Sequence, residues 1–478
     1  MPASSRYLAG RRQAAFQRIP VTLAEQLSLS RRCISVVSRR KKKLPTEPQQ
    51  AAIKSLTHDG RGVARVGDKT VFIDGALPDE DVLFRYTRVR SNYDEGEVLE
   101  VLKASPHRVT PACEFFNICG GCSLQHLEPS EQIRIKQSVL LDNLQRIGKV
   151  QPEEILPPVT GPIWGYRQKA RLGVRYVHKK ARVLVGFREK HSGLLADMTH
   201  CKVLNPMIGE RLAVLSQLIR QLSCYKHIAQ IEVALGDEAA ALIFRHLVDL
   251  TEGDKQRLAD FGQRYDFQIY LQPKGPDSVT LLWPETASLS YRLPDYDITL
   301  TFLPNDFTQV NTAINQAMIS RTLELLEPQP TDQVLELFCG LGNFSLPLAR
   351  QVQHVSAVEG DAALIERARE NAERNDIHNI DFHVANLMDE VSGLPWLRKR
   401  HYDKVLLDPP RSGALEMLPH IASLKVARIV YVSCNPATLA RDAGILVNEY
   451  GYRLVRSGVM DMFPHTAHVE SIALFSKA

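Results

Sequence analysis

No uninterrupted apolar run in this 478-residue chain is long enough to cross a bilayer, which excludes an integral membrane protein built on spanning helices. An apolar secretory leader is also missing, and the eight cysteines cluster unevenly instead of spreading as a disulfide framework. These absences point to a reducing, cytoplasmic setting in which thiols serve metals or catalysis. Acidic residues are scarce in one place only. Residues 1–46 hold eight Arg and three Lys against the single acid Glu25, so the net charge of +5 hides a tail of +10 on a remainder of −5. What is present is ordinary for a globular protein. At 44% hydrophobic and 24% charged residues, the chain can build two to four domains with cores of their own.

The basic tail, 1–46, with RRKKK at 39–43, has no sustained hydrophobic period and is expected to be disordered by itself. A solvated charge run is the default reading. An arm on RNA phosphate, an Arg- and Ser-rich organelle transit peptide and a start codon placed too early are the others. Cys33 and Cys224 read as plain unpaired thiols.

From Ala51 to Pro106 five short β-rich runs, IKSLTH, GVARVG, KTVFIDG, EDVLFRYTRVR and EGEVLEVLKAS, alternate with turn residues and predict a small barrel. The order DGRGVAR, VFIDGALPDE, EVLEVL resembles the TRAM domain, a barrel that binds RNA. Cys113, Cys119 and Cys122 follow, spaced for one metal centre, with Cys201 as a distant fourth ligand. Thiolates suit zinc or an iron-sulfur cluster, and spacing alone does not separate them. Residues 129–148 predict a helix ending at Gly148, and Trp164 to Pro294 a mixed α/β region. Within it YRQKARLGVRYVHKKARVLVGFR, basic with interleaved aromatics, reads equally as an RNA contact and as a solvated hairpin.

From about Phe302 strands and helices alternate, as in a doubly wound α/β sheet. QVLELFCGLGNF is a buried strand running into a Gly-rich turn, and Glu359 closes the next strand, where an acid hydrogen-bonds ribose. The G-x-x-G half of a dinucleotide fingerprint is missing, which favours S-adenosylmethionine over NAD. Asn386 ends the third strand where an adenine partner is expected, and Asp408 ends the fourth. Arg411 occupies the aromatic position of D-P-P-[YFW] amine methylases, which disfavours that chemistry. The next strand, Ala427 to Ser433, instead ends in a thiol, Cys434, so Asp408 and Cys434 are candidates for one cleft. A thiolate there activates a uracil ring for methylation at C5, and Glu470, opening the last strand, is the candidate base.

D-P-P-R-x-G at 408–413, S-C-N-P-x-T at 433–438 and F-P-x-T-x-H-x-E at 463–470 resemble the signatures of the RNA uracil-C5 methyltransferases, and the likeness extends back through FTQVNTAIN at 307–315. The resemblance runs from about residue 47 to the end. It implies Cys434 as nucleophile and Glu470 as base. It further implies Gln309, Phe338, Asn343, Glu359, Asn386 and Asp408 around S-adenosylmethionine. Cys113, Cys119, Cys122 and Cys201 would hold a [4Fe-4S] cluster, with Cys339 left to packing. The implied fold is α/β: a TRAM (OB-like) β-barrel at 47–106, a central iron-sulfur and RNA-binding domain at 107–300, and a Rossmann-like class I methyltransferase domain at 301–478, onto which helix 129–148 packs. Barrel and cluster together resemble the branch that methylates uracil 1939 of 23S rRNA, acting as a monomer without a membrane. The competing readings are another 23S uridine, the tRNA T-loop, and an RNA-binding iron-sulfur protein without catalysis.

Overall fold

The computed structural model describes residues 44–389, 391–398 and 401–477. Of the tail at 1–46, residues 1–43, Cys33 among them, lie outside the described ones, and so do the expectations placed on them.

Alternation of apolar and polar residues builds the first sheet. Strands β1 (Gln49–Ala52), β2 (Ser55–Leu56), β3 (Gly62–Val66), β4 (Lys69–Asp74), β5 (Asp81–Val89) and β6 (Tyr93–Lys103) lie in the order β1-β5-β6-β4-β3-β2. Val71, Ile73, Val82 and Phe84 point inward and are fully buried. β1 pairs with β5 and β2 with β3, so the segment 49–56 joins both edges and closes a barrel. Gly96 lets β6 pass the core, because a side chain there would lie 2.6 Å from the Phe84 ring. The barrel has six strands, one more than the sequence suggests, since QQAA in β1 carries no β-branched or aromatic residue to mark it.

Helix α1 (Pro129–Asn143), continued by a π turn over Leu144–Gly148, and the short strand β7 (Glu154–Ile155) come next. The central sheet follows: β8 (Lys169–Val177), β9 (Arg182–Gly186), helices α2 (Pro206–Gly209) and α3 (Leu212–Gln221), β10 (Ile228–Leu235), β11 (Ala240–His246), α4 (Glu252–Tyr265), β12 (Phe267–Gln272) and β13 (Thr280–Trp283). Its order is β13-β12-β11-β10-β8-β9, antiparallel except for β11 and β12, which α4 joins as a parallel crossover. α4 starts on a capping box made by Thr251 and Asp254. α3 buries Leu212, Leu215, Leu218 and Ile219, a helical stripe that joins the core of this sheet.

A hairpin, β14 (Leu289–Leu293) and β15 (Ile298–Phe302), leads into the C-terminal half. There α5 (Thr312–Leu326), β16 (Gln333–Leu337), α6 (Ser345–Ala349), β17 (His354–Glu359), α7 (Ala362–Arg374), β18 (Ile380–Val384), α8 (Pro395–Arg398), β19 (Lys404–Leu407), α9 (Leu418–Leu424), β20 (Arg428–Ser433), α10 (Pro436–Asn448), β21 (Tyr452–Met460) and β22 (Glu470–Lys477) follow in turn. The sheet order is β18-β17-β16-β19-β20-β22-β21-β7, parallel as far as β20. β22 then runs antiparallel to both of its neighbours. Helices cover both faces, so Val405, Leu406 and Leu407 are fully buried and read as one apolar run. Strand order reverses between β16 and β19, which opens a crevice beyond their carboxyl ends.

The α1 segment belongs physically with this C-terminal sheet. A side chain at Gly148 would sit 2.3 Å from the Ala440 carbonyl oxygen of α10, and one at Gly444 would sit 2.7 Å from the Gly148 carbonyl oxygen. Two glycines therefore let the helices touch backbone to backbone. β7 adds to β21 in parallel.

Candidate active site

Three strand ends and one loop deliver the candidate groups. After β16 the chain turns through Phe338, Gly340 and Gly342, all at positive φ. Space within 4 Å of where a Gly340 side chain would project is empty, leaving room for a ligand at the backbone. Glu359, at the end of β17, accepts from the backbone N–H groups of Gly340 at 3.1 Å, Gly360 at 2.7 Å and Asp361 at 3.1 Å, so it ties the glycine turn to the next strand. Asn343 is engaged differently. Its side-chain amide exchanges hydrogen bonds with Asn315 at 3.0 and 2.9 Å, and its carbonyl oxygen also accepts from Tyr291 Oη at 2.9 Å. Asn386 is exposed and closes its own turn by accepting from the Met388 N–H and donating to Asp389. Gln309 lies in the loop before α5, held just ahead of β8 where Gln168 N–H donates to the Val310 carbonyl at 2.8 Å.

Strand register decides which catalytic candidates meet. β20 and β22 are antiparallel, with Ser433 opposite Ser471, so the next residues out, Cys434 and Glu470, face each other at the strand ends. Opposed residues in such a ladder have Cα atoms about 5 Å apart. Asp408 joins them from the neighbouring end of β19. Burial pushes the Glu470 carboxyl up to about 8, helped by the Asp408 charge and opposed by Arg411. Burial and the Glu359 charge lift Asp408 to about 7. The half-buried Cys434 thiol is raised by burial and by Glu470 and Asp408, while Arg411 pulls it down. The register thus brings Asp408, Cys434 and Glu470 to neighbouring strand ends, and Arg411 lines the same cavity as Cys434.

The motif residues around them build the scaffold. Pro436 begins α10 and Asn435 caps it, accepting from the Ala437 N–H at 3.1 Å. Asn435 and Thr438 both donate to the Arg411 carbonyl, fastening the loop after Asp408 to the helix after Cys434. The loop 461–469 that delivers Glu470 is held from three sides. Lys136 of α1 forms a buried ion pair with Asp461 at 2.7 Å and donates to the Phe463 carbonyl at 3.0 Å. Gln132 accepts from the His465 N–H at 2.8 Å, and Trp164 stacks on His465 with ring centres 3.9 Å apart. Ser123 and Leu124, just past Cys122, donate backbone N–H bonds to the His465 carbonyl, each 2.9 Å long.

Two groups here carry no local mark in the sequence. Glu336, on β16, is 1% exposed and raised by burial to about 8; it accepts from Ser345 at 2.5 Å, and its second oxygen has no hydrogen-bond partner. Phe307 is 70% exposed two residues before Gln309, an apolar ring facing solvent. Above the thiol a cavity of about 780 Å³ is walled by His58 of the barrel, Gly120 of the cysteine loop, Asp142 of α1, and Arg411, Cys434 and His468.

Cys113, Cys119, Cys122 and Cys201 are free thiols. Burial lifts Cys119 to about 11 and Cys122 to about 12, and each of these feels the other three cysteines' negative charge or part of it: Cys201 and Cys113 at Cys119, and Cys201, Cys119 and Cys113 at Cys122. Among the described residues, however, no group of three or more His, Cys, Asp or Glu is gathered to hold a metal ion. Cys224 and Cys339 are buried free thiols. No helix among the described residues is long and apolar enough to cross a membrane.

Residues 195–478 match the tRNA (Uracil-5-)-methyltransferase family, and residues 44–99 match the TRAM domain. The chain belongs to this methyltransferase family. A member from Methylococcus capsulatus, the 23S rRNA (uracil(1939)-C(5))-methyltransferase RlmD, is 55% identical over 439 residues, covering 92% of this chain and 99% of that one. The RlmD of Hahella chejuensis is 53% identical, covering 92% and 100%. Among solved structures, the Pyrococcus abyssi tRNA (uracil-54, C5)-methyltransferase in complex with S-adenosyl-L-homocysteine superposes with a TM-score of 0.69 at 25% identity, over 89% of this chain and 100% of that one. The two RlmD relatives thus match most of the chain, and the barrel carries its own TRAM match.

Proposed function

We propose that this chain is an S-adenosylmethionine-dependent methyltransferase that forms 5-methyluridine at uracil 1939 of 23S rRNA. The register that sets Cys434 against Glu470 carries the chemistry, and relatives at 52–55% identity named for that reaction support the substrate.

Uracil C5 is a poor nucleophile. The Cys434 thiolate adds to C6 and turns C5 into an enolate carbon. S-adenosylmethionine, when bound, supplies the electrophilic methyl group. Glu470 then removes the C5 proton, and the thiol departs by elimination. A carboxylate whose conjugate acid lies near 8 is a stronger base than an ordinary one and suits that step. Arg411 favours the ionised forms of both Cys434 and Glu470. The target base reaches the thiol by flipping out of its stack, at a cost of a few kcal/mol, and the cavity over Cys434 has the volume for it.

Gln309, Phe338, Asn343, Glu359, Asn386 and Asp408 are the proposed surround of the methyl donor. Of the raised carboxyls Glu336, Asp408 and Glu470, only Glu470 feels an opposing cation. That deficit of positive charge suits a ligand bearing an ammonium and a sulfonium. Cys113, Cys119, Cys122 and Cys201 are the proposed ligands of a [4Fe-4S] cluster, a reading supported by the charge that Cys119 and Cys122 each feel from Cys113 and Cys201 and by the fitness of four thiolates for such a cluster. Such a cluster would tie the 113–122 loop to the Cys201 segment. One chain supplies every group, so a monomer suffices, and an rRNA substrate implies the cytoplasm.

Mass-spectrometric mapping of 5-methyluridine in 23S rRNA and tRNA, from cells with and without this chain, tests the substrate. Loss at uracil 1939 alone supports the proposal; loss confined to tRNA keeps the chemistry and overturns the substrate.

A further inference from the structure

Three of the cations on the β8–β9 hairpin are engaged within the protein. Arg171 pairs with Glu232 at 3.0 Å, and Lys180 and Arg182 both pair with Asp197. Arg175 and Lys179 of the hairpin are exposed and form no ion pair among the described residues. Beside it the charge is arranged differently. Arg220, on the last turn of α3, stacks its guanidinium 4.4 Å from the centre of the Tyr225 ring and lies 5.8 Å from that of Tyr176 on β8. Lys226 stands 5.6 Å from the centres of both rings, and the two rings meet edge to face at 5.0 Å. Arg220 and Lys226 are exposed, and neither forms an ion pair or a side-chain hydrogen bond among the described residues.

We infer that Tyr176, Tyr225, Arg220 and Lys226 form a second RNA-docking platform, one that grips the substrate away from the target uridine. The inference rests on the rRNA reading above. Cation–π contacts within about 6 Å hold the two cations in place without consuming their charge. A stacked guanidinium keeps one face for a nucleobase and its N–H edge for phosphate, which is how single-stranded RNA loops are recognised. An acidic protein surface would also meet the charge, but it would have no use for the rings, so RNA is the occupant these residues favour.

The position sets a length. β8 begins at Lys169, beside the loop that carries Gln309. Tyr176 lies seven residues further along that strand, roughly 23 Å at the rise of an extended chain. At roughly 3.4 Å per stacked nucleotide, roughly seven nucleotides of RNA span from that loop to the platform. A substrate of only a few nucleotides is therefore expected to miss it.

The test uses the full chain carrying Arg220→Ala and Lys226→Ala, with two substrates: a long 23S rRNA fragment, and an oligonucleotide with roughly three nucleotides on each side of the target uridine, too few to span that distance. The long fragment should show KM raised roughly 5- to 20-fold with kcat unchanged, and the dependence of log affinity on log salt should flatten by about 1 to 2. The short oligonucleotide should be methylated as by wild type. Equal impairment on both substrates, or an unchanged salt slope with the long one, overturns the platform and makes the cluster a structural cation–π contact. Wild-type chain that leaves both RNAs unmethylated overturns the rRNA reading, and the platform's proposed occupant with it.

Discussion

Replacing Lys136 with methionine should damage both stability and turnover, through one buried contact. The Lys136 and Asp461 side chains are 2% and 5% exposed and meet at 2.7 Å. Burial depresses the Lys136 ammonium, and Asp461 restores part of what burial takes. Lys136→Met fills the space but leaves the Asp461 carboxylate buried without its cation. Removing one partner of a buried pair costs about 3–5 kcal/mol, a large share of the roughly 5–15 kcal/mol that keeps a domain folded. Lys136→Met with Asp461→Leu removes both charges and should recover most of that loss, since apolar replacement of a whole pair is often nearly neutral. Urea unfolding reads the two values. Turnover should follow, because Lys136 also holds the Phe463 carbonyl in the loop that presents Glu470; the single variant should lose kcat while its affinity for S-adenosylmethionine stays. Equal stability of the single and double variants would refute the reasoning, for the pairing would then contribute nothing.

Three further outcomes follow from the same geometry. Cys434→Ala should abolish methylation and leave binding of S-adenosylmethionine intact, by activity assay and calorimetry; residual turnover would remove the thiol from the mechanism. The folded-state values of Glu336, Asp408 and Glu470 are raised to about 8, 7 and 8, above the ordinary carboxyl range. Their protonated forms therefore stabilise the unliganded fold below about pH 4, and that contribution fades as pH rises through 7 to 8. A cationic ligand lowers these values, so binding of S-adenosylmethionine at pH 7 should release protons, seen as a buffer-dependent heat; no proton exchange would contradict the carboxylate site. Cys201→Ser should lose iron and acid-labile sulfide from protein prepared without oxygen, whereas a metal content unchanged by the substitution would remove Cys201 from the cluster.

The parallel sheet was the most legible part of the fold, for a physical reason. Strands buried on both faces, such as β19 and β20, read as continuous apolar runs, and their ends are where cleft residues must lie. Asp408 and Cys434 could therefore be picked out before any coordinates. Glu336 could not, because a buried carboxylate inside an apolar strand looks like an interruption of the pattern. The reciprocal Asn315–Asn343 amide pair and the Lys136–Asp461 contact were equally hidden. Lys136 and Asp461 lie 325 residues apart, and no local periodicity records such a pairing. β1 escaped notice because its Gln and Ala residues gain their strand from pairing with β5, not from propensity. The basic hairpin looked uniform in sequence, yet Glu232 and Asp197 engage Arg171, Lys180 and Arg182 and leave Arg175 and Lys179 without an ion pair among the described residues, while Arg220 and Lys226 lie beside it on α3 and after it.

The most direct test of the central claim is Glu470→Gln with a uridine-containing 23S rRNA fragment and S-adenosylmethionine. If Cys434 adds to C6 and Glu470 removes the C5 proton, methyl transfer occurs but elimination stalls, and a covalent protein–RNA adduct accumulates that survives denaturing electrophoresis and maps to the peptide containing Cys434. Turnover at the wild-type rate with no adduct would contradict the account.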